Sequence, residues 1–379
     1  MSNIYLRQFI KVLVITAITF FLTKVIVFIP LNFSIFSSES IQKIDQFDIY
    51  SELIEKSGIK PFDNRIVVVT VPQDGGRWVL TEALNTLSEY HPAAIAVDVY
   101  LKGSIDPDID EMLIDAIRSN RNVVFPAIYN GNTIVNDSSL FDINNIEINK
   151  GFINIQTERS PYKHYFKTSV DDDYKTIYPL SLEAVRIAHP EYIKKLLERN
   201  NDKELINFKM DIPCISYTDI YSMADMITGR IVILGASSNT NKSHNTYQRM
   251  PDYMVQAHIA STVMHECYID KPSRLLNAIF SVFIIIVFIY FNLILATKLT
   301  KVSAFFIRLL TYSLFFAMVI IPFMLFTNYS YYFDCGQLLL AILFAPWAQD
   351  IYNLFDIIRN NCYTIIKKHI NKRNKTKES

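Results

Sequence analysis

The chain has 379 residues, half of them hydrophobic, with 37 basic and 37 acidic side chains and a net charge of zero. That balance gives no global reason to expect nucleic-acid binding, and nine glycines in all leave little material for glycine-rich phosphate cradles. A positive mean hydropathy of +0.18 in a chain this long points to membrane spans.

A short N-terminal segment, 1–11, precedes the apolar run "VLVITAITFFLTKVIVFIPL" at 12–31. About 20 apolar residues in a helix cross a bilayer. No small-x-small cleavage site follows the run, so it reads as an uncleaved anchor, with Lys24 snorkelling outward. Residues 32–275 have ordinary mixed composition and are numerous enough for a folded core. Three further runs, 276–296, 309–326 and 338–355, fill the segment 276–355, and a basic tail occupies 356–379.

Lysine and arginine set the orientation of such spans. Arg7 and Lys11 precede the first. Lys298, Lys301 and Arg308 separate the second from the third, and Arg359, Lys367 and Lys368 open the basic tail. The loop "TNYSYYFDCG" between the last two spans has no basic residue. These segments agree on a cytoplasmic side and outnumber Lys271 and Arg274, which vote the other way. The expectation is a multi-pass protein of the bacterial inner membrane, with 32–275 outside the cytoplasm, membrane lipid around the spans and a tail that holds the C-terminus inside.

Within 32–275 strand and helix signals alternate. "RIVVVTV" (65–71) is a β-branched run, and "RWVLTEALNTLSEY" (77–90) repeats apolar residues at helical spacing. "AAIAVDV" (93–99) predicts a second strand, "DIDEMLIDAIRSN" (108–120) a helix with an acidic start, and "NVVFPAI" (122–128) a third strand. The segment 180–199 predicts a helix broken near Pro190. "GRIVILGAS" (229–237) is a late strand and 254–266 a final helix. Continuous apolar strands between helices predict an α/β fold, a mostly parallel sheet flanked by helices. Ligands of such folds sit at the carboxyl ends of the strands. The polar residues there are Asp74, Arg77, Asp98, Ser237, Ser238 and Asn239, which form the candidate ligand-binding set.

Catalytic and metal chemistry fit less well. "GASSNTNKS" lacks the second glycine of a phosphate loop. Ser237 as a nucleophile would need His258 and Asp252, but Asn239 stands where the last glycine of a nucleophile elbow belongs. His258 and His265, seven apart, would share a helix face but fall short of a zinc set, and "DDDY" (171–174) lacks the spacing of a calcium loop. No catalytic residue, metal or cofactor is expected. Asp98 invites two readings: a structural pair with Arg77 or Arg230, or a side chain facing a ligand. Cys214 and Cys267 are placed equally for a disulfide and for two free thiols.

The ordered set "NRIVVVTVPQD", "HPAAIAVDVYL", "DPDIDEMLIDAI", "GFINI", "ITGRIVILGASSNT" and "MPDYMVQAHIASTV", between one span before and three after, resembles the second type of CHASE domain, the sensory extracellular domain associated with cyclases and histidine kinases. "GGRWVLTEAL" lacks the proline, and "NTNKSHNT" the aspartate, that such domains often carry. The resemblance implies a membrane sensor that binds a ligand or an envelope protein outside. Family members commonly continue into a kinase or cyclase, so the short tail here implies an effector on a separate chain. Two alternatives are an envelope structural or assembly factor and a serine-dependent envelope hydrolase. Copy number stays open, a homodimer included.

Overall fold

The computed structural model describes residues 2–28, 46–56, 58, 60–99, 101, 103, 106–129, 134, 135, 148–153, 165–172, 175–237, 250–298 and 303–375. They form two compact units, one built on Asp48–Ile269 and the other on the N-terminal helix together with Asp270–Ser379. The helices α1 (Ser2–Phe28) and α2 (Gln46–Lys56) come first.

Strand and helix then alternate: β1 (Ile66–Pro72), α3 (Gly76–Glu89), β2 (Ala94–Asp98), α4 (Pro107–Ser119) and β3 (Val123–Tyr129). The boundaries follow local chemistry. Asp106 caps α4 by accepting hydrogen bonds from the Asp108 and Ile109 N–H groups, Pro107 opens the first turn, and Asp108 and Asp110 lie in that turn, where the helix end favours negative charge. Short strands follow: β4 (Ile134–Val135), β5 (Asn149–Phe152), β6 (Tyr165–Lys167), β7 (Val170–Asp172) and β8 (Lys175–Ile177). Next come α5 (Leu180–Ala188) and α6 (Pro190–Glu198), separated at His189 because Pro190 has no N–H for a continuing helix, then β9 (Lys203–Leu205), β10 (Cys214–Ser216), β11 (Ile231–Ser237) and α7 (Asp252–Met264).

The main sheet runs β10-β1-β11-β2-β3, with β5 parallel and β4 antiparallel on β3. All its other pairings are parallel, which makes six parallel strands. β11, late in the chain, inserts between β1 and β2, in register at Ile66↔Ile231 and Gly235↔Asp98. Both faces are covered, so β1, β2 and β11 are apolar along most of their length. Val67, Val69, Ile95, Val97, Val232 and Leu234 pack with Leu80, Leu84 and Leu87 of α3 and Leu113 and Ile117 of α4. On the opposite face α5 lies on β2, β3 and β5, and α7 on β1 and β11.

In the second unit, α1 is joined by α8 (Arg274–Lys298), α9 (Ser303–Tyr329) and α10 (Gly336–Lys375). Each of the four has a stretch long and apolar enough to cross a membrane. Val12 and Ile15 of α1 are buried with Ile285, Phe288 and Ile289 of α8 and with Leu338, Ala341, Ala345 and Ala348 of α10. The small alanines let the helices approach closely, the commonest basis of helix association in lipid. Thr16, Thr19 and Thr23 are buried on α1, and each hydroxyl donates to the carbonyl four residues earlier, at 2.8–2.9 Å. Lys24 lies on the exposed side of α1, as a snorkelling side chain requires.

Candidate functional site

A cleft of about 480 Å³ opens at the carboxyl ends of β1, β2 and β11. Parallel strands leave their loops there, and β1 and β2 diverge around the inserted β11. Val71, Pro72 and Gln73 line it from β1 and the turn that follows, Leu80 and Arg77 from α3, Asp98 from the end of β2 with Val99 just after it, and Ala236 from β11. The walls are mostly apolar with a few polar groups, the usual make-up of a small-molecule site.

Of the six candidate residues, Arg77 and Asp98 share this cleft. Asp74 is exposed in the turn at 73–75 and is not among the lining residues. Ser237 ends β11 one residue beyond the lining Ala236, and Ser238 and Asn239 lie outside the described residues. Gln73, which the sequence reading passed over, lines the cleft beside the strand end. Its signal was the same as Asp74's, a polar side chain just after an apolar strand.

Arg77 is buried, and its guanidinium has structural work. It pairs with the buried Asp110 at the start of α4 and donates to the Gly103 carbonyl. It therefore braces α3 to α4 and to the loop after β2, and so shapes the wall of the cleft. Arg230 precedes β11, at the other end of the sheet from Asp98, so the expected pairing of those two is corrected by the register Ile231↔Ala94 and Gly235↔Asp98.

The glycine of the "GAS" turn has a packing role. A Cβ on Gly235 would overlap the Cβ and Cγ of Tyr253 at the start of α7. Gly235 therefore lets α7 sit against β11, and no phosphate need be invoked.

The two helix histidines are also accounted for. α7 ends at Met264, which leaves His265 just beyond it and off the shared helix face the sequence suggested. His258 is buried, its ring 5.0 Å from that of Phe208 in an edge-on contact. Burial, helped by the Lys60 charge, lowers its pKa to about 3. A histidine so acidified is a poor general base near neutral pH, which weakens any triad built on Ser237. Among the described residues no cluster of three metal-ligating side chains occurs. Cys214, exposed on β10, and Cys267, after α7, are both free thiols. Burial pushes the Cys267 thiol up to about 11, so it is protonated and unreactive near neutral pH.

The other end of the sheet holds a polar cluster that the sequence reading missed. Asp63, fully buried before β1, accepts hydrogen bonds from the Arg65 and Ile66 N–H groups at 2.8 and 3.0 Å and from the Ser261 hydroxyl at 2.5 Å. His265 Nε2 lies 3.1 Å from its carboxylate. Burial alone would raise the pKa of Asp63, but His265, Ser261 and the Arg65 N–H outweigh it and hold the group below the ordinary carboxylate range. Arg65 donates to the Met264 carbonyl at the end of α7 and to the Tyr192 hydroxyl, both at 2.6 Å. Asn207 holds the next stretch, donating its N–H to the Thr262 hydroxyl at 2.9 Å and its side-chain amide to the Cys267 carbonyl at 2.7 Å. The segment entering β1 and the segment leaving α7 are thus fastened to each other. A signal was present in the sequence: "DNR" directly before an apolar strand, where a carboxylate reaches backbone N–H groups.

A family model for the CHASE2 domain matches residues 71–297, more than half of the chain, from within β1 to the end of α8. The chain belongs to the CHASE2 domain family. CHASE2 domains are sensory extracellular domains, and four membrane-capable helices, one before the sheet and three after it, fit a multi-pass membrane protein. No curated protein and no solved structure matches this CHASE2 chain significantly.

Proposed function

We propose that this protein is an extracytoplasmic sensor of the bacterial inner membrane. In this reading the cleft at the carboxyl ends of β1, β2 and β11 takes a ligand, or the edge of an envelope protein, and the change is relayed through the helices to an effector on another chain. The observation that carries the reading is the placement of that cleft in a sensory CHASE2 domain: it lies at the far end of the sheet from the fastened segments through which the chain enters and leaves. Seven residues of strand span about 23 Å. A ligand that favours one arrangement of the cleft shifts the balance of the whole unit only by its difference in affinity for the two states.

Asp98 and Gln73 are the polar groups proposed to meet the ligand, with Arg77 as the brace behind them. The family is sensory, and we propose that the chain performs no chemistry of its own. The acidified His258 speaks against the hydrolase reading. The assembly-factor reading shares the surface but predicts no ligand-dependent output.

The test has two parts. Protease added to intact spheroplasts should cut within 48–269, whereas cleavage only after lysis would place the unit inside and end the proposal. Thermal unfolding of the full chain in detergent should then be screened against fractionated envelope and medium extracts. A fraction that raises the midpoint for the wild type but not for Asp98→Ala supports a ligand in the cleft. Equal shifts in both variants would place the ligand elsewhere.

A further inference from the structure

Both connections of the sheet lobe meet one short loop. The lobe is built on Asp48–Ile269, while Phe47 on one side and Asp270 on the other belong to the membrane unit. Phe47, on α2, is buried, and its ring meets those of Phe326 near the end of α9 and Tyr332 in the α9–α10 loop edge-on, at 5.4 and 5.5 Å. Phe326 and Tyr332 meet each other at 6.3 Å, so the three rings close on one another. Asp270 pairs with the same loop through its backbone. Its N–H donates to the Ser330 carbonyl at 2.9 Å, and its carbonyl accepts from the Tyr332 N–H at 2.8 Å, a parallel bridge opposite Tyr331. Ser330 has a φ of 52°, in the left-handed region that a side chain holds only where its surroundings enforce it. The rest of the loop is tied to α8 and α10. Asn277 donates its side-chain amide to the Asp334 carbonyl at 2.8 Å, Phe280 and Phe333 meet edge-on at 5.2 Å, and the Asp334 carboxylate accepts from the Gly336 N–H that opens α10.

We propose that this loop, 330–335, is the receiving element of the relay: it clasps the chain on entry and on exit, and passes displacement of the sheet lobe to α9 and α10. The proposal rests on the sensor reading above. Its basis is mechanical. Without the clasp the outgoing chain would continue into α8 alone. With it a single six-residue loop takes both connections and is itself continuous with two further helices. Little slack separates this loop from the fastened end of the sheet. Cys267, whose carbonyl Asn207 holds, stands three positions before Asp270, a reach of at most about 10 Å. Packed rings and hydrogen bonds yield in discrete rearrangements and not by continuous compression, so they hand a shift on to the next element.

Hydrogen exchange on the full chain in lipid nanodiscs tests it. Ser261→Ala removes the hydroxyl that donates to Asp63, in the other unit of the molecule. Peptides spanning 61–67 and 261–268 should exchange faster, which reports that the fastened end has loosened. The peptide spanning 327–336 should follow, on the order of tenfold faster, while 309–320 in the middle of α9 stays unchanged. Should Ser261→Ala leave the first two peptides unmoved, Asn207→Ala, which strands the Cys267 carbonyl, takes its place. Phe47→Ala should speed exchange in the loop by a similar factor, whereas Ile49→Ala, an exposed neighbour on α2, should not. A loosened end with an unchanged loop would overturn the proposal, as would an unchanged loop in Phe47→Ala. An envelope fraction that raises the wild-type unfolding midpoint should also alter exchange at 327–336. A midpoint shift without that change would overturn the clasp and leave the sensor reading intact, whereas failure of every fraction to shift the midpoint counts against the sensor reading and leaves the two variants to decide the clasp.

Discussion

At the carboxyl ends of β1, β2 and β11, Asp98 is half-buried and Gln73 and Asp74 are exposed around an open cleft. At the amino end of the same sheet Asp63, Ser261 and Thr262 are shielded from solvent, and each holds hydrogen-bonded partners from another element. One sheet thus carries a yielding end and a fixed end. The difference teaches how a small rigid unit can sense. Exposed polar groups cost little to rearrange, whereas a buried carboxylate with several donors can change partners only at a cost of several kcal/mol. Rearrangement is therefore cheaper at the cleft than at the amino end.

The sharpest way to break this contrast is to remove the fixed end. Asp63→Ala strands the N–H groups of Arg65 and Ile66 and the Ser261 hydroxyl. It should cost about 3–5 kcal/mol in pulse proteolysis of the full chain in detergent. A loss under about 1 kcal/mol would show that the cluster does not fasten the unit. The same group sets an acid limit. Its folded pKa lies below the ordinary 3.8, so its contribution is complete above that value and is lost as pH falls through the folded pKa. Wild-type stability should therefore drop steeply below about pH 4, and an Asp63→Asn chain should lack that part of the slope. Gly235→Ala drives a methyl group into Tyr253 and should cost about 2 kcal/mol, read as a lower unfolding midpoint. At the cleft the expected order reverses. Asp98→Asn should change stability by less than about 1 kcal/mol yet abolish any ligand-induced shift of the midpoint. Asp74→Ala, outside the lining, should change stability by less than about 0.5 kcal/mol and leave the ligand response intact.

The parallel sheet was legible because its central strands are buried on both faces. "IVVVTV", "AIAV" and "IVIL" carry a single polar residue among them, Thr70, and only a sheet covered by helices on both sides asks for that. The break between α5 and α6 was legible at Pro190 for a reason equally local. Edge and satellite strands were not. β10, β9 and β5 are three or four residues long and mix polar with apolar side chains, so their pairing is decided by what they meet and not by their own pattern. Their neighbours are distant in sequence, as in Val68↔Cys214. The cleft was half legible. Asp98 and Arg77 were found from strand ends, but that Arg77 meets Asp110 depends on how α4 lies against α3, and no spacing reports that. The Asp63 cluster joins residues almost 200 positions apart, beyond the reach of any local pattern, although its anchor stood in plain view before β1.

Because Asp63 touches Ser261 directly, the polypeptide begins and finishes this lobe through a single gateway. A module with adjacent ends can be spliced between other pairs of helices without forcing them apart. Loops on the remote rim can then lengthen or change character while the doorway keeps its width, so new specificities can be grafted onto an unaltered mounting.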